Sequence, residues 1–212
     1  NTLLSEVGIK AQYSKLEFIA NVRENMALTP ADFDLIRKMI YEQSAIVLEP
    51  GKEYLVEARL QPLAQKEGLN TIQELVAKMR QDKSNGLQQK VVDAMTTNET
   101  SFFRDIHPFE TFKKIIVPDI MAKRATVREF NIWCGASSSG QEPYTLAMVL
   151  RENFPALNTW KINFIATDIS QQMLTRSRNG IYSQLEINRG LPAAYLVKYF
   201  QRVSMDWQVK DD

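Results

Sequence analysis

Cysteine and histidine are almost missing from this chain, at one residue each, Cys134 and His107. No intrachain disulfide can form, and a Cys/His zinc site cannot be assembled. Cys-His catalysis has no motif to support it, so Cys134 reads as a small buried residue beside a turn. His107 reads as structural. An excess of charge of one sign is also absent: the formal net charge is +1. Nothing therefore draws the whole molecule to nucleic acid or to a membrane surface, and any electrostatic recognition must be local. No apolar run approaches the ~20 residues that a membrane-spanning helix needs. Charges at Glu6, Lys10, Lys15, Glu17, Arg23 and Glu24 interrupt residues 1–25, so no signal peptide is expected there. Such a cysteine-poor chain suits the cytoplasm. What remains is ordinary for a soluble globular protein, with 44% hydrophobic and 24% charged residues over 212 positions. That length has room for one large or two small domains.

The most informative stretch is Asn131 to Tyr144, Asn-Ile-Trp-Cys-Gly-Ala-Ser-Ser-Ser-Gly-Gln-Glu-Pro-Tyr. A buried-strand pattern (Phe130, Ile132, Trp133) enters a turn of glycine and serine, and a helix starts at Glu142-Pro143. Strand, small-residue turn and helix are how a doubly wound α/β sheet builds a nucleotide pocket. Gly135 and Gly140 have P-loop spacing, but Gln141-Glu142 stand where Lys-Ser/Thr belongs. The dinucleotide motif is broken by Ser137 at its second glycine, and the nucleophile elbow needs its glycines one residue closer. A helix N-terminus welcomes phosphate, whereas Glu142 repels it. A nucleoside ligand with positive charge fits better, and S-adenosylmethionine carries a sulfonium and an ammonium. A tight βα turn with no ligand is the bland alternative.

A second strand, Ile162-Asn-Phe-Ile-Ala-Thr-Asp168, ends in an acid. In this fold such an acid lies over the ribose, about 20–30 residues past the glycine turn, and accepts hydroxyl hydrogens. Asp168 fits that place. Its alternative role is an N-cap for a helix starting near Ser170.

A third segment, Thr96-Thr97-Asn98-Glu99-Thr100-Ser101-Phe102-Phe103-Arg104-Asp105, completes a set of three. In this order the set resembles the chemotaxis-receptor glutamate O-methyltransferases, the CheR family. Members carry a T-x-N-x-T-x-F-F-R-like segment, a G-x-E-P-Y-like helix start and an Ala-Thr/Ser-Asp strand end. The likeness runs from about Met26 to the C-terminus. It implies an α + α/β fold, a small N-terminal helical domain followed by a Rossmann-like class I methyltransferase domain. It implies S-adenosylmethionine as cofactor, with S-adenosylhomocysteine as product. Asn98, Thr100, Arg104, Glu142 and Asp168 match the cofactor-contacting positions, and Arg104 also matches the residue beside the transferred methyl. Members often have Glu where Gln141 stands. The family continues through an Asn-Leu turn and a Cys-Arg-Asn strand end, whereas this sequence stops at Lys210-Asp211-Asp212. The methyltransferase domain is therefore expected to be C-terminally incomplete.

The expected organisation is an extension over 1–25, a helical receptor-docking domain over 26–97, and the cofactor-binding α/β domain over 98–212. The resemblance adds the start of a small antiparallel subdomain near 200–212. Residues 1–25 have a pattern that permits helix. Thr29-Pro30 opens a helix with Phe33, Ile36 and Ile40 on one face. A second helix runs from Glu53 to Lys66, Asn70 or Thr71 caps a third, and Ser84-Asn85-Gly86 turns into a fourth through Met95. Thr96 to Arg104 reads as a linker, followed by a helix from Phe109 to Met121. A helix through Met173, Leu174 and Arg178 ends at Asn179-Gly180; a short one runs to Tyr199-Phe200, and Met205 to Lys210 alternates like a strand.

Lys52, Arg59 and Lys66 recur every seventh residue and form a cationic stripe. A solvated helix face is the plain reading. By resemblance, Lys52 and Arg59 match receptor-docking positions, and Gln65 replaces an Arg that some members carry. The partner implied is the cytoplasmic helical region of chemotaxis receptors, whose methylated glutamates such a stripe complements. Members that dock a receptor's C-terminal pentapeptide have an extra glycine-containing loop after Gln201. Gln201 to Val209 has no glycine, so pentapeptide docking is expected to be absent.

The implied reaction needs no general base, because a carboxylate nucleophile is already ionised at neutral pH. Arg104 is expected to orient the acceptor. Phe102 or Phe103 is a candidate cation–π partner for the sulfonium, with core packing as the alternative. Two other functions are open at this point: a shortened, inactive cofactor- or receptor-binding module, and a small-molecule or nucleic-acid methyltransferase.

Overall fold

The computed structural model describes residues 28–82 and 84–210; the helical expectation for residues 1–25 lies outside them. Two compact units divide between Thr96 and Thr97.

The first unit is helical. Helix α1 (Pro30–Ser44) starts where Thr29, in extended backbone, accepts the Asp32 N–H on its hydroxyl at 3.1 Å. Pro30 costs nothing at the first helical position, where an N–H has no partner. Helix α2 (Glu53–Lys66) follows Gly51, whose φ is +86°. Helix α3 (Ile72–Gln81) is capped by Thr71, and Glu74 reaches back to the Asn70 N–H at 2.8 Å. Helix α4 (Gly86–Met95) is held at its start by Asp82, which accepts the Leu87 N–H at 2.7 Å. The expected Phe33, Ile36 and Ile40 face is buried against Val56, Leu60, Leu75, Val76, Val91 and Met95.

In the second unit the helix after Arg104 starts earlier than the sequence suggested and is not uniform. Helix α5 (Ile106–Thr111) is capped by Asp105, a π-helical turn covers Phe112–Ile116, and α6 (Val117–Lys123) continues. Pro118 offers no N–H to the turn before it, and the Val117 N–H reaches back five residues to the Phe112 carbonyl. Strand β1 (Glu129–Cys134) runs parallel to β2 (Lys161–Ala166), with Glu129 opposite Lys161 and Cys134 opposite Ala166. Helix α7 (Gln141–Asn153) connects them. Phe130, Ile132, Ile162 and Phe164 pack with Val117, Leu150 and Leu157. Trp133 does not join them, contrary to its reading as part of a buried run. Alternation along the strand turns it to the other face, where it is 75% exposed and its indole donates to Thr167 Oγ1 at 3.0 Å.

Helix α8 (Gln171–Asn179) is capped by Ser170, not by Asp168, and ends at Gly180 in the left-handed region. The chain then forms β3 (Ile181–Tyr182), α9 (Gln184–Asn188), α10 (Ala193–Tyr199), β4 (Phe200–Val203) and β5 (Asp206–Val209). These three strands make an antiparallel sheet in the order β3-β5-β4. Phe102 is fully buried here, with its ring edge-on to Tyr182 and Phe200 at 5.0 and 5.6 Å between centroids. Of the stretch expected to be a linker, Thr96 to Arg104, all but Thr96 is thus part of the second unit, and it threads that unit's core. Among the described residues, no helix is long and apolar enough to cross a membrane. None of their acidic, histidine or cysteine side chains group to hold a metal.

Candidate active site

The turn after β1 is built by hydrogen bonds that its sequence does not announce. The Ser137 N–H donates to the Thr167 carbonyl at 2.9 Å, tying the turn to the end of β2. The Ser138 N–H donates to Asp168 Oδ2 at 2.7 Å, while the Ser170 N–H donates to Asp168 Oδ1 at 2.8 Å. The Ser138 hydroxyl donates to the Asn98 carbonyl at 2.7 Å. Three segments far apart in sequence, those of Asn98, Ser138 and Asp168, are therefore joined at one place. Each Asp168 oxygen keeps lone-pair capacity for a further donor.

Gly140 closes the turn with φ +97°, and a Cβ there would lie 2.4 Å from Ser177 Oγ. Beneath it, the Tyr182 hydroxyl donates to the Ser139 carbonyl at 2.7 Å. Burial, first of all, pushes the Tyr182 phenol well above its usual value, so it stays a neutral donor. Gln141 is also buried and accepts the Ser139 hydroxyl at 2.8 Å. A neutral amide suits that position, since a carboxylate would have to be desolvated there.

Glu142 is the second residue of α7 and is exposed. Cys134 is buried, and burial followed by the charge of Glu142 pushes its thiol up to about 11. It is no nucleophile at neutral pH. Thr100 is half-buried between Asn98 and Phe102. Phe103 has a positive φ of 48°, rare for a side-chain-bearing residue. That reversal lets Phe102 enter the core while Arg104 is exposed, its guanidinium donating to the Glu99 carbonyl at 3.1 Å. The Phe103 ring packs on Phe109 and Tyr195, at 5.6 and 5.2 Å. Both phenylalanines thus have packing roles. His107 is exposed, and its backbone N–H donates to Asp105.

In the helical unit the cationic stripe is uneven. Lys52 is exposed at the start of α2, with its ammonium 5.9 Å from the Tyr54 ring centroid. Lys66 is exposed at the helix end. Arg59 is half-buried and donates to the Met95 carbonyl, closing the end of α4. Its spacing gave no hint of this second task.

The charged side chains that follow the carboxyl ends of the two parallel strands, up to the first turn of α7 and the start of α8, are Glu142 and Asp168, both acidic. This set disfavours phosphate and suits a ligand that offers hydroxyl donors and positive charge. S-adenosylmethionine meets both conditions. Residues 98–212 match the family model described as "CheR methyltransferase, SAM binding domain", and residues 31–96 match "CheR methyltransferase, all-alpha domain". The chain is 40% identical over 190 residues to chemotaxis protein methyltransferase 1 of Pseudomonas aeruginosa, covering 87% of this chain and 68% of that one. It is 41% identical over 157 residues to chemotaxis protein methyltransferase 1 of Vibrio cholerae, 73% of this chain and 56% of that one. The chemotaxis protein methyltransferase of Escherichia coli is 31% identical over 185 residues, 87% of this chain and 61% of its own length. The chain thus spans between 56% and 68% of the length of these relatives.

Proposed function

Since this chain belongs to the CheR methyltransferase family, we propose that it moves a methyl group from S-adenosylmethionine to glutamate side chains of chemotaxis receptors, giving γ-methyl esters. The observation that carries this reading is the junction of Asn98, Ser138 and Asp168 inside the region that matches the cofactor-binding domain. Asn98, Thr100, Arg104, Glu142 and Asp168 would hold the cofactor, Asp168 by accepting ribose hydroxyls and Glu142 by facing positive charge. When bound, S-adenosylmethionine supplies a methyl carbon activated by a sulfonium leaving group. In the proposed reaction the acceptor oxygen would form the new bond as the bond between methyl carbon and sulfur breaks, and that bond's electron pair would leave with sulfur. No proton has to move, so the reaction requires no general base. The protein's part is alignment and partial desolvation of opposite charges. Arg104 is solvent-exposed and anchored only through a backbone carbonyl, which leaves donors for an acceptor carboxylate.

Lys52 and Arg59 would meet the acidic receptor surface, with Lys52 the more accessible. The cytoplasm is where such a receptor region is reached. Pentapeptide docking is not part of the proposal; β4 and β5 are joined by the two residues Ser204-Met205. The test is transfer of labelled methyl from S-adenosylmethionine to receptor-enriched membranes by the protein. Label released by mild base is the ester signature. Base-stable label, or label in nucleic acid or small molecules, would overturn the reading.

A further inference from the structure

Resting on that reading, we propose that Arg189 is a second acceptor-binding arginine, and that Glu99 is the intramolecular carboxylate which the receptor glutamate displaces from it. Arg189 lies 85 positions beyond Arg104 in sequence, in the link between α9 and α10. Its neighbour explains how it comes to lie beside the Asn98–Arg104 segment. Gly190 has φ +140°, and a Cβ built on it would stand 2.1 Å from the Phe102 carbonyl oxygen. Only a residue without a side chain lets these two backbones touch. Leu191, next in sequence, is buried in the same cluster as Phe102. The link is therefore seated directly on the segment that carries Arg104.

From that seat Arg189 Nη2 meets Glu99 Oε1 at 2.7 Å, while Arg104 Nη1 donates to the carbonyl of the same glutamate at 3.1 Å. Two guanidinium groups thus converge on one residue that offers one carboxylate, leaving cationic capacity for a second. The hydrogen bond from Arg189, then its charge, then that of Arg104 hold the Glu99 carboxyl below its ordinary value, so it remains ionised. The side chains of Arg189 and Glu99 are 55% and 59% exposed. An ion pair this open to water adds little stability, so an incoming carboxylate can take Glu99's place at small cost. Glu99 carries the same functional group as the proposed acceptor, which makes the exchange chemically like-for-like. Two other arginines of this unit are engaged away from the segment: Arg176 pairs with Glu186, and Arg202 lies over Trp207 while donating to Gln184. The cofactor's own carboxylate has the same chemistry as the acceptor's, and the measurements below separate the two.

Methylation of receptor membranes is measured at varied receptor and varied S-adenosylmethionine, alongside titration with S-adenosylhomocysteine. Arg189→Ala raises the receptor KM about tenfold, as expected for loss of a hydrogen bond to a charged group, with S-adenosylhomocysteine affinity unchanged. Glu99→Gln lowers the receptor KM, because the competing charge is gone. The exchanged pair Glu99→Arg with Arg189→Glu keeps an ion pair, yet its receptor KM stays high. Recovery of the wild-type KM in the exchanged pair would show a purely structural bridge and overturn the proposal. So would an unchanged receptor KM in Arg189→Ala, or weaker S-adenosylhomocysteine binding in its place. A wild type that labels no receptor overturns the methyltransferase reading and this inference with it; normal wild-type labelling matched by Arg189→Ala overturns the inference alone.

Discussion

Asp168 engages both carboxylate oxygens with backbone N–H groups, one in its own turn and one across to Ser138. The sequence placed this acid at the end of β2 but could not show the bond that ties it to the glycine turn. Asp168→Ala should weaken S-adenosylhomocysteine binding by about 1.5–3 kcal/mol, the range for hydrogen bonds to a charged group; an unaltered affinity by calorimetric titration would remove the ribose role. Arg104→Ala should lower turnover by about a hundredfold through lost alignment of the acceptor, and near-normal turnover in single-turnover assays would take Arg104 out of the mechanism. Gly140 is constrained by its own φ and by Ser177 Oγ at 2.4 Å from any added Cβ. Gly140→Ala should therefore cost about 2–4 kcal/mol in urea unfolding, combining backbone strain with overpacking. The three serines of the turn read alike in sequence, yet Ser138 bonds Asn98 through its side chain and Ser139 bonds Gln141. Residue type gave the small size; only the partners brought by distant segments gave the roles.

Elements with a local signal were legible. Thr29-Pro30, Thr71 and Asn179-Gly180 mark helix ends by capping chemistry, and the structure uses each of them. Elements whose cause lies elsewhere were not. β3 and β4 are two and four residues long and exist by pairing with β5. The π turn over Phe112–Ile116 has no periodicity of its own, only Pro118 just beyond it. Helix α9 is so short that its start matters: the Ser183 hydroxyl accepts the Glu186 N–H, and Glu186 Oε2 accepts the Ser183 N–H at 2.9 Å. Ser183→Ala should lower stability by about 1 kcal/mol, read as a shifted denaturation midpoint with an unchanged slope.

For the whole molecule, near-neutral net charge conceals acids that the fold holds in their charged form. Hydrogen bonds from Lys113 and Lys114 lower Glu110 from its ordinary 4.5 to about 2. Hydrogen bonds from Lys90 and Lys78 lower Glu67. At Glu186 burial works against ionisation, but the backbone and hydroxyl of Ser183 and the charge of Arg176 prevail and lower it. Folded values below unfolded ones mean that the unfolded chain binds more protons in acid. Their stabilisation is complete above about pH 4.5 and is lost as pH falls toward 2. Melting temperature should therefore drop between pH 5 and 3, and a flat profile there would contradict the assignment. Trp133 offers one more handle. An indole three-quarters open to solvent at the tip of a strand, one residue before Cys134, should contribute a water-exposed component to an emission it shares with Trp160 and Trp207. A molecule that came to rest on that side of the sheet should shift this component to the blue, and the shift should vanish in Trp133→Phe.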